Sequence, residues 1–321
     1  GIARGTGVLI ALNGEGTDAN RILDNKSAQY FSFDKSIAKG QSYPSSLMGS
    51  LALLRQMYND AVWYSKGNST TTDLSLEALN ANKNLVQIFE AKDKGNDLRA
   101  DKIGDANGIQ YTILGGGNEF ERIEEIKATN AKFIIPINFP DAYDVSDPYA
   151  IGYVSLQDMR FWNQAPTNPK VLADNGIQFS LTTYDLKSPS NFKEKLLKAI
   201  EYGLPKTKAL EALTTIPAQI LGKSNQIGSL KTGAYANFLI TSGDVFESST
   251  TLFENWVQGS KSVISSMDTK YIRGDYNLNV QGKMYAISIT GEISKPSIAV
   301  KQDTMKLTSK IAYDNNWLTM S

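Results

Sequence analysis

The chain has no histidine and no cysteine among its 321 residues. Histidine is the commonest metal ligand and the usual general base near neutral pH. Its absence excludes any Ser-His-Asp triad, any HExxH helix and any histidine-ligated zinc site built from this sequence. The absence of cysteine excludes disulfides, thiolate-ligated zinc and thiol nucleophiles. It also fits an extracytoplasmic, periplasmic setting. An excess of charge is missing as well: 33 Lys and Arg balance 33 Asp and Glu. No basic run or acidic tail points to nucleic acid or to a membrane surface. Long apolar runs are absent. Val8–Leu12 and Phe133–Ile135 are far too short to cross a bilayer. No signal peptide is visible at Gly1, where the sequence already reads as structured, so an upstream segment is expected.

What is present is ample for a core, with 41% hydrophobic and 10% aromatic residues. Gly5–Leu12 (GTGVLIAL) reads as a parallel strand buried on both faces. Asn13–Asn25 reads as loop and Ser27–Phe33 as extended. Pro44 follows Ser42 at the first turn of a helix. Leu47, Leu51, Leu54, Tyr58 and Ala61 then mark one helical face running to about Tyr64. Asp73 caps a helix over Leu74–Ala81. Strands and helices alternate from there: Leu85–Ala91, helix Asn96–Asn107, Ile109–Leu114, helix Asn118–Thr129, Lys132–Ile137, two short helices, Ile177–Thr182 and helix Asn191–Tyr202. This rhythm predicts a parallel sheet with covered faces. Two short helices follow, Lys206–Leu213 and Pro217–Leu221. From Ile227 the sequence is β-rich, with strands over Ile272–Val280, Met284–Ile289, Ile298–Val300 and Trp317–Thr319.

The run Ala209-Leu-Glu-Ala-Leu-Thr-Thr-Ile-Pro-Ala218 with Leu221-Gly222, then Ile227-Gly-Ser-Leu-Lys-Thr-Gly233 and Ala236-Asn-Phe-Leu-Ile240, resembles the amidohydrolase superfamily. That family closes its barrel on such a helix and then enters a β-sandwich. Asn237 departs from the aspartate usual there. The imidazolonepropionase-like and prolidase-like branches are the nearest in flavour. The resemblance implies an α/β fold: an amidohydrolase-type (β/α) barrel over residues 1–222, incomplete at its N-terminus, and a β-rich sandwich-like layer over 223–321. Gly1–Leu12 resembles the family's second strand. Leu85–Ala91, Ile109–Gly117, Lys132–Ile137 and Asn175–Asp185 resemble its fifth to eighth.

Active members hold one or two metals with histidines after strand one and on strands five and six, and with an aspartate on strand eight. The metal activates a water. Carried over residue by residue, the strand-five histidine falls at Glu90 and the strand-six histidine near Leu114 or Gly115. The aspartate falls near Thr183, with Asp185 two residues on. Glu90 and Asp185 are therefore the candidate catalytic residues, as an acid/base pair or as ligands for a hard cation. The bland reading has Glu90 paired with a lysine such as Lys92 and Asp185 capping a turn. Gly115-Gly-Gly117 is an anion cradle or, more simply, a βα turn. Asn68-Ser-Thr70 matches a glycosylation acceptor. Phe161, Trp162 and Trp256 are binding platforms or core aromatics. Arg55 and Gln56 are buried anchors or a solvated helix side.

Two functional readings stand. One is a non-catalytic amidohydrolase-like domain with a structural, partner-binding or substrate-presenting role. Its partner would be another amidohydrolase-type domain or subunit, as in bacterial proteins with degenerate barrels. The other is a metal-dependent hydrolase of C–N bonds, amide or cyclic amide, using carboxylates or histidines from outside this chain. No cofactor is expected in the first. The second requires a divalent metal with oxygen ligands, which favour magnesium, calcium or manganese. Homo-oligomerisation stays open.

Overall fold

The computed structural model describes residues 2–14, 17–35, 43–144, 146–147, 149, 152–267, 271–292, 295–302, 305–307, 309–314 and 317–320. Two compact units divide between Asn237 and Phe238.

The first unit is built on one six-stranded sheet in sequential order, β1 (Ala3–Ile10), β2 (Ile22–Ser32), β3 (Val86–Glu90), β4 (Thr112–Leu114), β5 (Lys132–Pro136) and β6 (Phe179–Thr182). From β2 to β6 every pairing is parallel. Each strand is followed by helical sequence, as parallel neighbours require a crossover. Strictly sequential order is the order of a barrel wall and not of a doubly wound sheet. The register places Ser32, Glu90, Leu114, Ile134 and Ser180 in one row near the C-terminal ends.

β1 differs from the expectation. It runs antiparallel to β2, joined through the short helical turn α1 (Asp18–Arg21), and it is largely exposed. Val8, Ile10 and Leu12 all face solvent. An apolar run flanked by glycine does not by itself distinguish a buried strand from an edge strand of a hairpin. Here the glycine has a specific use, because a Cβ on Gly7 would lie 2.5 Å from the Tyr30 ring. Within the segment read as loop, residues 18–21 form α1 and residues 22–25 begin β2.

The helices start where the sequence offers caps. Ser46 accepts from the Gly49 N–H at 3.2 Å and opens α2 (Leu47–Ser65). Pro44 precedes that helix, and Ser42 lies outside the described residues. Asp73 accepts from Ser75 and Leu76 at the start of α3 (Leu74–Ala81). Asp93 accepts from Gly95 and Asn96 and opens α4 (Lys94–Ala106). Such side chains satisfy amide donors that have no partner in the helix. Sequence 118–129 divides into a 3-10 turn at Glu119–Arg122 and α5 (Ile123–Ala128). Arg55 is on the solvated side of α2, and Gln56 there donates to Asp60 at 2.6 Å.

Aromatics fill the core between sheet and α2. Phe31 and Phe89 stack on neighbouring strands with centroids 6.4 Å apart, and Tyr111 meets both edge-on. Tyr58, from α2, hydrogen-bonds the Tyr111 hydroxyl. Each hydroxyl is thereby satisfied where water cannot reach it. Burial pushes the Tyr58 phenol up to about 12 and Tyr111 higher still.

The second unit is antiparallel throughout. It contains a three-stranded sheet, β7 (Phe238–Thr241), β8 (Leu252–Val257) and β9 (Ser260–Val263). A four-stranded sheet follows, β10 (Gly274–Val280), β11 (Lys283–Glu292), β12 (Lys295–Gln302) and β13 (Met305–Leu307), then the hairpin β14 (Ile311–Asp314) and β15 (Trp317–Met320). These sheets supply the β-rich layer anticipated from the sequence after Ile227. Trp256 stacks on Phe238 at 5.3 Å and donates its indole N–H to buried Glu254 at 2.7 Å. It is a packing residue, not an open platform.

Removing the aromatic ring at the centre of the first unit should be costly. Phe89→Ala is expected to lower unfolding free energy by about 3–5 kcal/mol, whereas Phe89→Leu should cost under about 2 kcal/mol. Urea titration checks both, and equal effects would show that Phe89 is not a packing centre.

Candidate functional site

The parallel strands end on one rim, and several charged or polar side chains sit two residues beyond a strand end. Asp34 follows Ser32, Lys92 follows Glu90, Asn138 follows Pro136 and Tyr184 follows Thr182. Glu90 closes β3, and its side chain is 14% exposed. Three groups converge on its carboxylate. The Tyr184 hydroxyl donates to Oε1 at 2.8 Å. Lys92 Nζ lies 3.3 Å from the same oxygen, and Arg4 Nη1 lies 3.2 Å from Oε2. Lys92 also reaches Asp34 Oδ2 at 2.6 Å. Those two carboxylates hold the lysine pKa well above its ordinary value, the Asp34 hydrogen bond contributing most. Partial burial raises the Tyr184 phenol, and the adjacent Glu90 charge raises it further.

Asp185 stands beside this group and not in it. It occupies a left-handed backbone conformation, φ 62°, inside a turn closed by the Leu186 N–H on the Thr183 carbonyl at 3.2 Å. Its carboxylate accepts from Asn138 Nδ2 at 3.4 Å. Tyr184 is the neighbour that ties the segment to Glu90. The two candidate residues are therefore linked through one intervening side chain, with no hydrogen bond between them. The expected Glu90–Lys92 pair is present. Arg4, Asp34, Asn138 and Tyr184 were not singled out from the sequence. The strand-end-plus-two spacing marks the last three, whereas Arg4 arrives only through the antiparallel hairpin.

These residues do not fit a transition-metal centre. The chain offers oxygen ligands only, and Glu90 is already neutralised by two cations. Among the described residues no three acidic side chains gather in a way that would hold an ion. Leu114, in the row of Glu90, has no ligand atom in its side chain.

The Gly115–Gly117 turn is not an anion cradle. Glu119 folds back so that its Oε1 accepts the Gly116 and Gly117 N–H groups at 2.8 and 3.0 Å. Its Oε2 accepts from Asn168 Nδ2 at 2.5 Å, and Asn168 Oδ1 accepts from the Phe120 N–H at 2.8 Å. The donors that would face a phosphate are thus used by a buried carboxylate of the same turn. Burial raises the Glu119 pKa, with these hydrogen bonds opposing the shift. Nearby on α4, Asp97 is fully buried and neither of its oxygens has a partner. Burial, then the charges of Glu119 and Asp93, raise its pKa well above the usual carboxylate range.

Phe161 stacks on Phe120 at 6.4 Å; Phe161 and Trp162 are half-buried, and the Trp162 indole N–H is shielded from solvent. Asn68 is exposed but donates its Nδ2 to the Trp63 carbonyl at 3.1 Å. A cavity of about 240 Å³ lies in the second unit, with Leu278, Val280, Ile287 and Leu307 in its lining and no rim residue among them. No helix among the described residues is long and apolar enough to cross a membrane.

Residues 158–268 match the Amidohydrolase family. Among solved structures, the fold is similar to that of an amidohydrolase from Thermotoga maritima MSB8, with a TM-score of 0.66 at 18% identity. That likeness covers 81% of this chain and 68% of the other. A 5-methylcytosine deaminase from Klebsiella pneumoniae, liganded with phosphonocytosine, overlaps with a TM-score of 0.47 at 12% identity, over 77% of this chain and 58% of that one. A prolidase complexed with N-methylphosphonate-L-proline overlaps with a TM-score of 0.41 at 16% identity, over 56% and 45%. No curated protein sequence matches. At 18% identity the likeness to the Thermotoga maritima structure shows the fold alone and leaves the chemistry to the residues.

Asp97 makes a pH-dependent prediction. A carboxyl whose folded pKa is raised binds more protons when folded than when unfolded. Its stabilising contribution is complete below about pH 4 and is lost as pH rises through the folded pKa. Asp97→Asn should therefore raise stability at pH 7 relative to wild type and flatten the stability–pH curve above pH 4. Thermal melts between pH 4 and 8 test this. An unchanged slope would mean that Asp97 is not buried as an acid.

Proposed function

Starting from amidohydrolase-family sequence over residues 158–268 on an amidohydrolase fold, we propose that this chain is a non-catalytic amidohydrolase-like domain. Its role is to support, or present substrate to, another amidohydrolase-type domain or subunit. The observation that carries this reading is the state of Glu90. A general base or metal ligand needs a carboxylate free to take a proton or a cation. Glu90 instead has Arg4 and Lys92 at ion-pair distance and the Tyr184 phenol as donor. The absence of histidine from all 321 residues supports the same conclusion, because no first-choice metal ligand remains. An extracytoplasmic setting accords with the absence of cysteine.

The second reading keeps catalysis. It is a metal-dependent C–N hydrolase whose ligands come partly from outside this sequence, and the family match favours it. The two separate on a direct assay. The purified chain should show no turnover of linear amides, dipeptides or cyclic amides above a heat-denatured control, with or without added zinc or manganese. Turnover that is lost in Glu90→Gln, with an unchanged melting temperature, would establish the enzyme and remove the non-catalytic reading.

A further inference from the structure

We propose that Lys92, assisted by Arg4, is a built-in cation that ties the C-terminal rim together in place of a bound metal ion. Asp34 lies just beyond β2, Glu90 ends β3, Arg4 belongs to β1 and Tyr184 lies just beyond β6. Four segments distant in sequence therefore meet at two carboxylates and two cations. The Lys92 ammonium contacts one carboxylate from β3 and one from the turn after β2, at 3.3 and 2.6 Å. Bridging two anionic ligands from different segments is what a divalent ion does in an oxygen-ligated site.

The backbone at Lys92 indicates that this placement is imposed. Its φ is 74°, a left-handed conformation that costs a non-glycine residue free energy and persists only where the surroundings fix it. Those surroundings are visible. The Ala91 and Lys92 N–H groups both donate to the Leu114 carbonyl, at 3.0 and 3.3 Å. On the other side the Lys92 carbonyl lies against Gly116, where any Cβ would come within 2.0 Å of it. These backbone contacts fix the point from which the Lys92 side chain extends. The lysine is 44% exposed, so water and salt weaken its pairs, and the brace is modest in strength. Its consequence is specific nonetheless. With Lys92 replaced, Asp34 and Glu90 lose the cation they share and one positive charge, Arg4 on Glu90, remains for two carboxylates, which favours a divalent cation from solution.

The test uses manganese as probe and reads melting temperature and calorimetric binding, so it does not depend on whether the domain is catalytic. Wild type should melt identically in EDTA and in millimolar MnCl2, and should give no saturable heat. Lys92→Met, which keeps the alkyl stem, should melt about 2–4 °C lower, the shift expected for about 1 kcal/mol in a domain of this size. It should also gain saturable manganese binding that restores at least half of the loss. Lys92→Arg should behave as wild type, and Lys92→Met/Glu90→Gln should lose the manganese response. Saturable manganese binding at the wild-type rim would overturn the proposal. So would a Lys92→Met variant that melts as wild type, or one without a Glu90-dependent response to manganese. If Lys92→Met does not fold, Lys92→Gln read in the same way decides the matter.

Discussion

The missing side chain at Gly116 lets the turn after β4 lie directly on the turn after β3. A Cβ there would stand 2.0 Å from the Lys92 carbonyl oxygen and 3.0 Å from the Asp93 Cα. Much of the rim follows from this contact. Lys92 is held left-handed, and Asp93 is aimed so that it caps α4. Asn118, one residue past the glycines, accepts from the Lys94 N–H at 2.9 Å. Glu119 turns inward and satisfies the glycine amides, and Asn168 reaches across from a later helix to share it. Two neighbouring βα connections therefore behave as one unit. A glycine turn that reads as a potential anion site is used instead to join them.

The parallel sheet was legible from periodicity, because runs such as Phe-Ile-Ile over 133–135 and Gln-Ile-Phe over 87–89 have the composition of strands covered on both sides. Asp73 as a helix cap was legible for the same kind of local reason. The β1 hairpin was not. Its exposed Val8, Ile10 and Leu12 carry the same apolar signal as a buried strand, and strand direction is set by partners that local sequence does not name. At the site, Glu90 and its pairing with Lys92 were within reach, since both residues bound the end of one strand. Arg4 was not, because its approach to Glu90 depends on that hairpin. Asp97 and Glu119 were hidden for a further reason. Their polarity suggests a solvated first helical turn, and only tertiary packing buries them.

Two buried carboxylates of the first unit, Glu119 and Asp97, show how differently burial can be accommodated. Glu119 has a donor for each oxygen, two backbone amides on one and an asparagine on the other. It can remain buried at small net cost, since hydrogen bonds to a carboxylate are strong where water is excluded. Asp97 has no donor, and its neighbours Glu119 and Asp93 carry charge of the same sign. Placing it in the first turn of α4 helps only partly, because the helix dipole is weak against full desolvation. Keeping the proton is the state that costs least.

Rim and core are separable in this architecture. Alternation along a strand sends Phe31 and Phe89 into the aromatic core, while Ser32 and Glu90, one residue on, occupy the end of the same strands. Tyr58 and Tyr111 close that core from α2 and the start of β4. None of these core contacts involves Glu90, Lys92, Arg4 or Tyr184. Stability is therefore carried by apolar burial that does not require a metal. The charges at the rim need only be balanced, and Arg4 with Lys92 balances them from within the chain. The groups that hold this wall together are therefore not the groups gathered at its rim.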